Sequence, residues 1–89
     1  MYAHIPFGKP LTRWHEADHF QAAMFYAERV SASEGAVDRI EDAMADGEPE
    51  TPGGTDATPD ALEYHRGLVR RNRWWAQFHL RAAEYLAQQ

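Results

Sequence analysis

The sequence predicts an all-α fold, an antiparallel hairpin of two long, coiled-coil-like helices preceded by an extended N-terminal arm. Segments 12–45 and 59–87 place apolar residues at alternating intervals of three and four, the repeat of helices that pack against each other. Segment 46–58 is rich in Pro, Gly and acidic residues, which predicts a flexible connector without regular structure. Helices joined by such a connector pack side by side and antiparallel. Residues 1–11 then form the arm, and 12–89 form one domain.

The first helix is predicted to begin at Thr12. This residue type is a favourable N-cap, and Glu16 and Asp18 follow in the first turns, where the helix dipole favours negative charge. No proline interrupts the rest of the segment. Gly35 weakens the helix interior, so a kink close to this glycine is the alternative to a continuous helix.

The second helix has a clear start signal, since Thr58 is a good N-cap and Pro59 suits the first helical position. Its packing side contains His65, Asn72 and His79, which recur every seven residues. Polar side chains at such positions commonly fix the alignment of packed helices. Because buried neutral His must become charged in acid, we expect the hairpin to loosen below about pH 6.

The alignment of the two helices is predicted by setting Val37 opposite Asn72, which matches the apolar positions of both helices. Opposite charges then meet beside the contact, although charge was not used to choose the alignment. Exposed pairs of this kind specify alignment more than they add stability. The predicted ion pairs are Glu34 with Arg73 and Glu41 with Arg66.

The same alignment predicts that the start of the first helix projects beyond its partner helix. It places Val30 opposite His79, and the position opposite His19 would lie beyond residue 89. Trp14 would therefore lie on an overhang with only one wall. We expect this end of the hairpin to contact another chain.

The second helix carries another apolar face beside its packing side, and one facing helix cannot cover so wide an arc. One alternative is that the arm folds back over this face through Tyr2, Ile5 and Phe7. The arm is too short to cover the whole length of the helix. We therefore expect a homo-oligomer or docking onto a larger protein. The predicted contact residues are Trp14, Phe20, Leu68, Trp75, Phe78 and Tyr85.

Residues 15–19 match the HExxH pattern of zinc peptidases, in which His15 and His19 would bind zinc and Glu16 would act as general base. Asp18 stands where zincins carry uncharged residues, and the third ligand of metzincins is missing. Glu16 and His19 also match the ExxH pair of di-iron bundles. We favour a chance match. A helical oligomer that binds Zn or Fe through His15, Glu16 and His19 is the alternative.

Segment 66–75 combines arginines with Trp74 and Trp75, a composition typical of proteins that bind single-stranded nucleic acid. Two of these arginines, Arg66 and Arg73, are already assigned to ion pairs. The net charge of −5 also argues against a general nucleic-acid binder. Nucleic acid is therefore the second alternative, and the expected partner is a protein.

The amino-acid composition also limits the kind of protein that this chain can be. The chain has no cysteine, which excludes disulfides and thiolate zinc sites. It has no apolar run of membrane-spanning length and no signal-peptide pattern, so we expect a cytoplasmic protein. The excess of Arg over Lys and the abundant Ala are typical of actinobacteria and their phages, and a phage protein would lie in the virion. The sequence predicts a small non-catalytic assembly protein, namely an adaptor, regulator or structural subunit, without a cofactor.

Overall fold

A computed structural model describes residues 5–89 of this protein. A short 3₁₀ turn, Leu11–Arg13, precedes two helices, α1 (Glu16–Ala45) and α2 (Pro59–Ala87). The helices pack against each other along an antiparallel hairpin, and the described part of the chain contains no β-strand. The predicted all-α hairpin is confirmed.

The start of α1 differs from the prediction. Thr12 lies in the 3₁₀ turn, and the N-cap is His15, whose backbone N–H donates to Asp18 Oδ2 at 2.9 Å. Trp14, between the turn and the helix, has an extended backbone (φ −78°, ψ 140°). This extended residue separates the 3₁₀ turn from the helix, so α1 begins four residues after Thr12. From there α1 continues through Gly35 without a break.

Both ends of the connector follow local sequence signals. Gly47, with φ of 71°, ends α1, and the N–H of the next residue, Glu48, donates to Ala43 O at 2.9 Å. Thr58 caps α2, since its Oγ1 accepts a hydrogen bond from the N–H of Ala61 at 3.1 Å. Helix α2 spans the predicted segment.

The connector is more ordered than expected. Thr51 is buried, its N–H donates to Thr55 O at 2.8 Å, and its Oγ1 accepts from the N–H of Thr55 at 3.2 Å. Glu50 and Asp56 form an isolated antiparallel bridge. The predicted irregular connector is therefore a hydrogen-bonded turn folded around one buried threonine.

The two predicted ion pairs are present. Arg66 Nη2 lies 2.7 Å from Glu41 Oε2, and Arg73 Nη2 lies 2.9 Å from Glu34 Oε2. All four side chains are about half exposed to solvent, so each pair contributes little more than about 0.2–1 kcal/mol.

The predicted layers of the hairpin are wrong at its open end. His79 contacts His19 and Tyr26, which precede the predicted partner Val30 by one to three turns of α1. A groove at this end is lined by residues of the 3₁₀ turn, of both helices and by Trp14, so the expected overhang is absent. Long Arg and Glu side chains reach across several positions, and their pairing therefore did not determine which buried residues meet.

The buried residues of the hairpin are small except at a few positions. Ile40 and His79 are the largest side chains that are fully buried. Small residues let the two backbones approach closely, and the bulky aromatic rings gather at the open end. The other buried residues of the two helices are His19, Ala22, Ala23, Ser33, Ala43, Asn72 and Ala83.

Candidate functional site

Two histidines meet in the interior at the open end of the hairpin. His19 Nδ1 and His79 Nδ1 are 2.9 Å apart, and only 2% of His79 is exposed. One ring donates the hydrogen bond and the other accepts it. The His79 ring also stacks on Trp14 (centroids 5.0 Å apart, planes at 7°) and on Tyr26 (5.8 Å, 4°). The pair thus joins α1 to α2 inside an aromatic cluster.

Both histidines are kept neutral by their surroundings. Burial, with the adjacent His19 ring as a second cause, lowers the pKa of His79 to about 4. Burial also lowers the pKa of His19, although the nearby Asp18 carboxylate opposes that shift. At neutral pH the pair therefore behaves as a hydrogen-bonded, uncharged part of the core.

The HExxH residues separate in the structure. His15 and Glu16 are exposed at the start of α1, whereas His19 faces the interior and His79. Asp18, which departs from the zincin pattern, accepts the hydrogen bond of the N-cap. Within residues 5–89, no three His, Cys, Asp or Glu side chains are grouped as metal ligands.

The prediction that Trp14 belongs to the contact surface is wrong. Only 5% of it is exposed, because its ring packs on both histidines and its Nε1 donates to Lys9 O at 3.2 Å. The overhang on which it was expected to project does not exist. Trp14 therefore belongs to the core of this chain.

The arm folds back onto the hairpin. Ile5 is buried, and the Phe7 ring lies 5.6 to 6.2 Å from the rings of Trp14, Phe25 and Tyr26. The sequence left open that the arm covers the apolar face of α2, but these rings belong to α1 and to Trp14, and Phe7 reaches α2 only by lining a groove together with Leu68 and Trp75. Tyr2 lies outside the described residues. Two predicted contact residues on the neighbouring side of α2, Leu68 and Trp75, are half-buried.

Part of the predicted aromatic face of α2 stays exposed. Trp74 is 58% exposed, and its ring is stacked on that of Phe78, with centroids 5.6 Å apart and planes at 6°. The two rings line a groove of about 340 Å³, and a second groove of about 250 Å³ continues from Phe78 toward Tyr85. We call this region the Trp74 surface; it comprises Leu11, Trp74, Phe78, Arg81, Ala82 and Tyr85.

Sequence reasoning missed Trp74 because it lies farther from the packing side of α2 than Trp75 does. The interval of four residues between Trp74 and Phe78 was the available signal, since side chains four apart on a helix are neighbours.

A second exposed apolar region lies on α1. Phe20, predicted as a contact residue, is 52% exposed, and Met24 is exposed one turn later. Glu16 and Glu28, both exposed, extend this row by one turn at either end. We call these four residues the Phe20 stripe.

The arginines of segment 66–75 are mostly engaged within the chain. Arg66 and Arg73 pair with α1 as described, and Arg70 Nη2 lies 3.0 Å from Glu63 Oε1. Three of the guanidinium groups that would contact phosphates therefore already lie against carboxylates.

Comparison of the chain with protein-family models, with curated proteins and with solved structures gives no match in any of the three. Among the described residues, neither helix combines the length and the apolar character that crossing a membrane requires.

Proposed function

We propose that this protein is a non-catalytic helical assembly module that binds another protein chain through the Trp74 surface. The observation that carries the proposal is the pair of stacked rings, Trp74 and Phe78, beside an open groove. Large aromatic side chains dominate the energy of protein interfaces, and Trp and Arg are enriched among the residues that matter most. A tryptophan that is more than half exposed leaves a large apolar area in contact with water, and such exposed apolar area marks interaction sites.

The composition of the surface supports a protein partner. The residues that line the Trp74 groove are Trp74, Gln77, Phe78, Arg81 and Ala82, so apolar area, one amide and one cation are available together. Interface centres combine aromatic contact area with a few polar groups in this way. The adaptor, regulator and structural-subunit roles all fit such a surface, and the proposal assigns no catalytic residue.

Photo-crosslinking in the cells that encode the protein tests the proposal. A benzoylphenylalanine at position 77, in the groove, is expected to form discrete protein adducts. The same probe at Asp60, an exposed residue of α2 about 25 Å away along the helix axis, is the matched control. Adducts from both positions alike, or none from position 77 in the folded and expressed protein, would contradict the proposal. Native mass spectrometry of the purified protein measures its metal content and thereby tests the alternative of a metal-binding oligomer.

A further inference from the structure

The Phe20 stripe and the Trp74 surface are complementary in charge. Along α1, an acidic residue, two apolar residues and a second acidic residue follow at one-turn intervals. Along α2, Trp74, Phe78 and Arg81 of the Trp74 surface follow at nearly the same intervals after Arg70, which lies one turn before that surface, so basic residues stand at both ends of the row. Every residue of these two rows is exposed except Phe78, which is half-buried.

The two rows also match in length. Glu16 and Glu28 are twelve residues apart, about 18 Å along a helix axis, and Arg70 and Arg81 are eleven apart, about 16 Å. In both rows the central apolar pair is spaced by four residues, about 6 Å. When the two helices lie antiparallel, the Glu16 carboxylate can therefore reach the Arg81 guanidinium group while the apolar pairs are in contact.

We infer that the partner bound by the Trp74 surface is a second copy of this chain, which contributes its Phe20 stripe. The inference rests on the proposed function and names its partner. It accounts for both large exposed apolar regions with one contact, because each region covers the other. The row of α2 accepts an acidic helix more readily than a basic one: Arg81 pairs with no carboxylate within residues 5–89, and the Arg70 pair with Glu63 is exposed and therefore weak.

The two regions lie on different helices, so a contact between one stripe and one surface leaves a second stripe and a second surface to be covered. After the first contact, one copy keeps a free Phe20 stripe and the other keeps a free Trp74 surface. Heterologous contacts produce rings when the rotation closes and open filaments when it does not. A two-fold dimer covers both pairs of regions at once, so the protein is expected to form either such a dimer or a larger ring or filament.

Charge reversal with mutual rescue tests this inference on the purified protein, followed by analytical ultracentrifugation. Wild-type protein is expected to gain mass with concentration. Glu16→Arg and Arg81→Glu should each weaken self-association by at least about tenfold, because like charges then face each other. An equimolar mixture of the two variants should assemble again, since every contact between unlike copies pairs opposite charges.

Two controls accompany the charge reversals. Glu84→Arg makes the same change of net charge as Glu16→Arg at an exposed position of α2 outside both regions, and it should leave association unchanged. Trp74→Ala should weaken association by about 30-fold while the helical circular dichroism stays the same.

A wild-type protein that remains monomeric at about 1 mM, a typical limit for weak association, would overturn the inference, as would a mixture of variants that fails to reassemble. Adducts from position 77 to a different protein, together with a monomeric purified chain, would leave the module intact and exclude the second copy. Absence of both adducts and self-association would contradict the proposed function as well as the inference about a second copy.

Discussion

Replacement of Trp14 with alanine is expected to lower the free energy of unfolding by about 3–5 kcal/mol, the range for large aromatic residues truncated in a core. The ring is 5% exposed and packs on His19, His79 and Phe7. Its loss opens a cavity where the arm, α1 and α2 meet. Small domains are stable by only about 5–15 kcal/mol, so the variant should lose a large part of its stability.

Urea denaturation followed by circular dichroism measures this loss. Trp74→Ala is the matched control, since it removes the same side chain from a position that is 58% exposed, and it should change stability by less than about 1 kcal/mol. The two tryptophans are therefore expected to have opposite roles, Trp14 in folding and Trp74 in association. Equal losses of stability in the two variants would contradict this division.

The free energy of unfolding is expected to fall as the pH is lowered from 6.5 toward 4. In the unfolded chain His79 titrates near its ordinary pKa of 6.5, whereas in the folded chain its pKa is about 4. Between these values the unfolded state binds the additional proton, so acid favours unfolding. Above pH 6.5 protonation of His79 does not lower the free energy of unfolding. As the pH falls to 4, that free energy decreases by about 3 kcal/mol because of His79 alone. The lowered pKa of His19 acts in the same direction.

Measurements between pH 5 and 7 distinguish protonation of the histidines from protonation of the carboxylates, because the carboxylates remain mostly ionised there. The slope in this range should be smaller in His79→Gln, which keeps a polar side chain opposite His19, and smaller still in the variant that replaces both histidines with Gln. An unchanged slope in the double variant would show that the buried pair does not cause the acid sensitivity.

Local signals predicted the parts of the fold that depend on neighbouring residues. Thr58 and Pro59 marked the start of α2 correctly because capping and the first helical turn involve only adjacent residues. The ion pairs of Glu34 and Glu41 were predicted because spacing along each helix determines which charges lie beside the contact. The same reasoning failed for Thr12, where the extended backbone of Trp14 delays the helix by four residues.

The candidate surface was predicted in outline. Phe78 and Tyr85 were recognised from helical spacing and Phe20 from the expected overhang, and Phe20 and Tyr85 are exposed. Trp14 was assigned to the contact surface because the predicted alignment left it without a facing residue. Trp74 was not assigned to the contact surface because it lies farther from the packing side of α2 than Trp75, although its interval of four residues from Phe78 was an available signal.

The sequence by itself determined the helices, their antiparallel pairing and the presence of more apolar surface than one hairpin can bury, because these depend on periodicity and short-range spacing. The tertiary structure alone decided which apolar residues are covered. His19 and His79 are 60 residues apart along the chain and meet at 2.9 Å. Their contact, with the Trp14 ring packed on both, depends on how far one helix slides along the other. Flexible charged pairs tolerate several such positions, and dense packing of rings permits few.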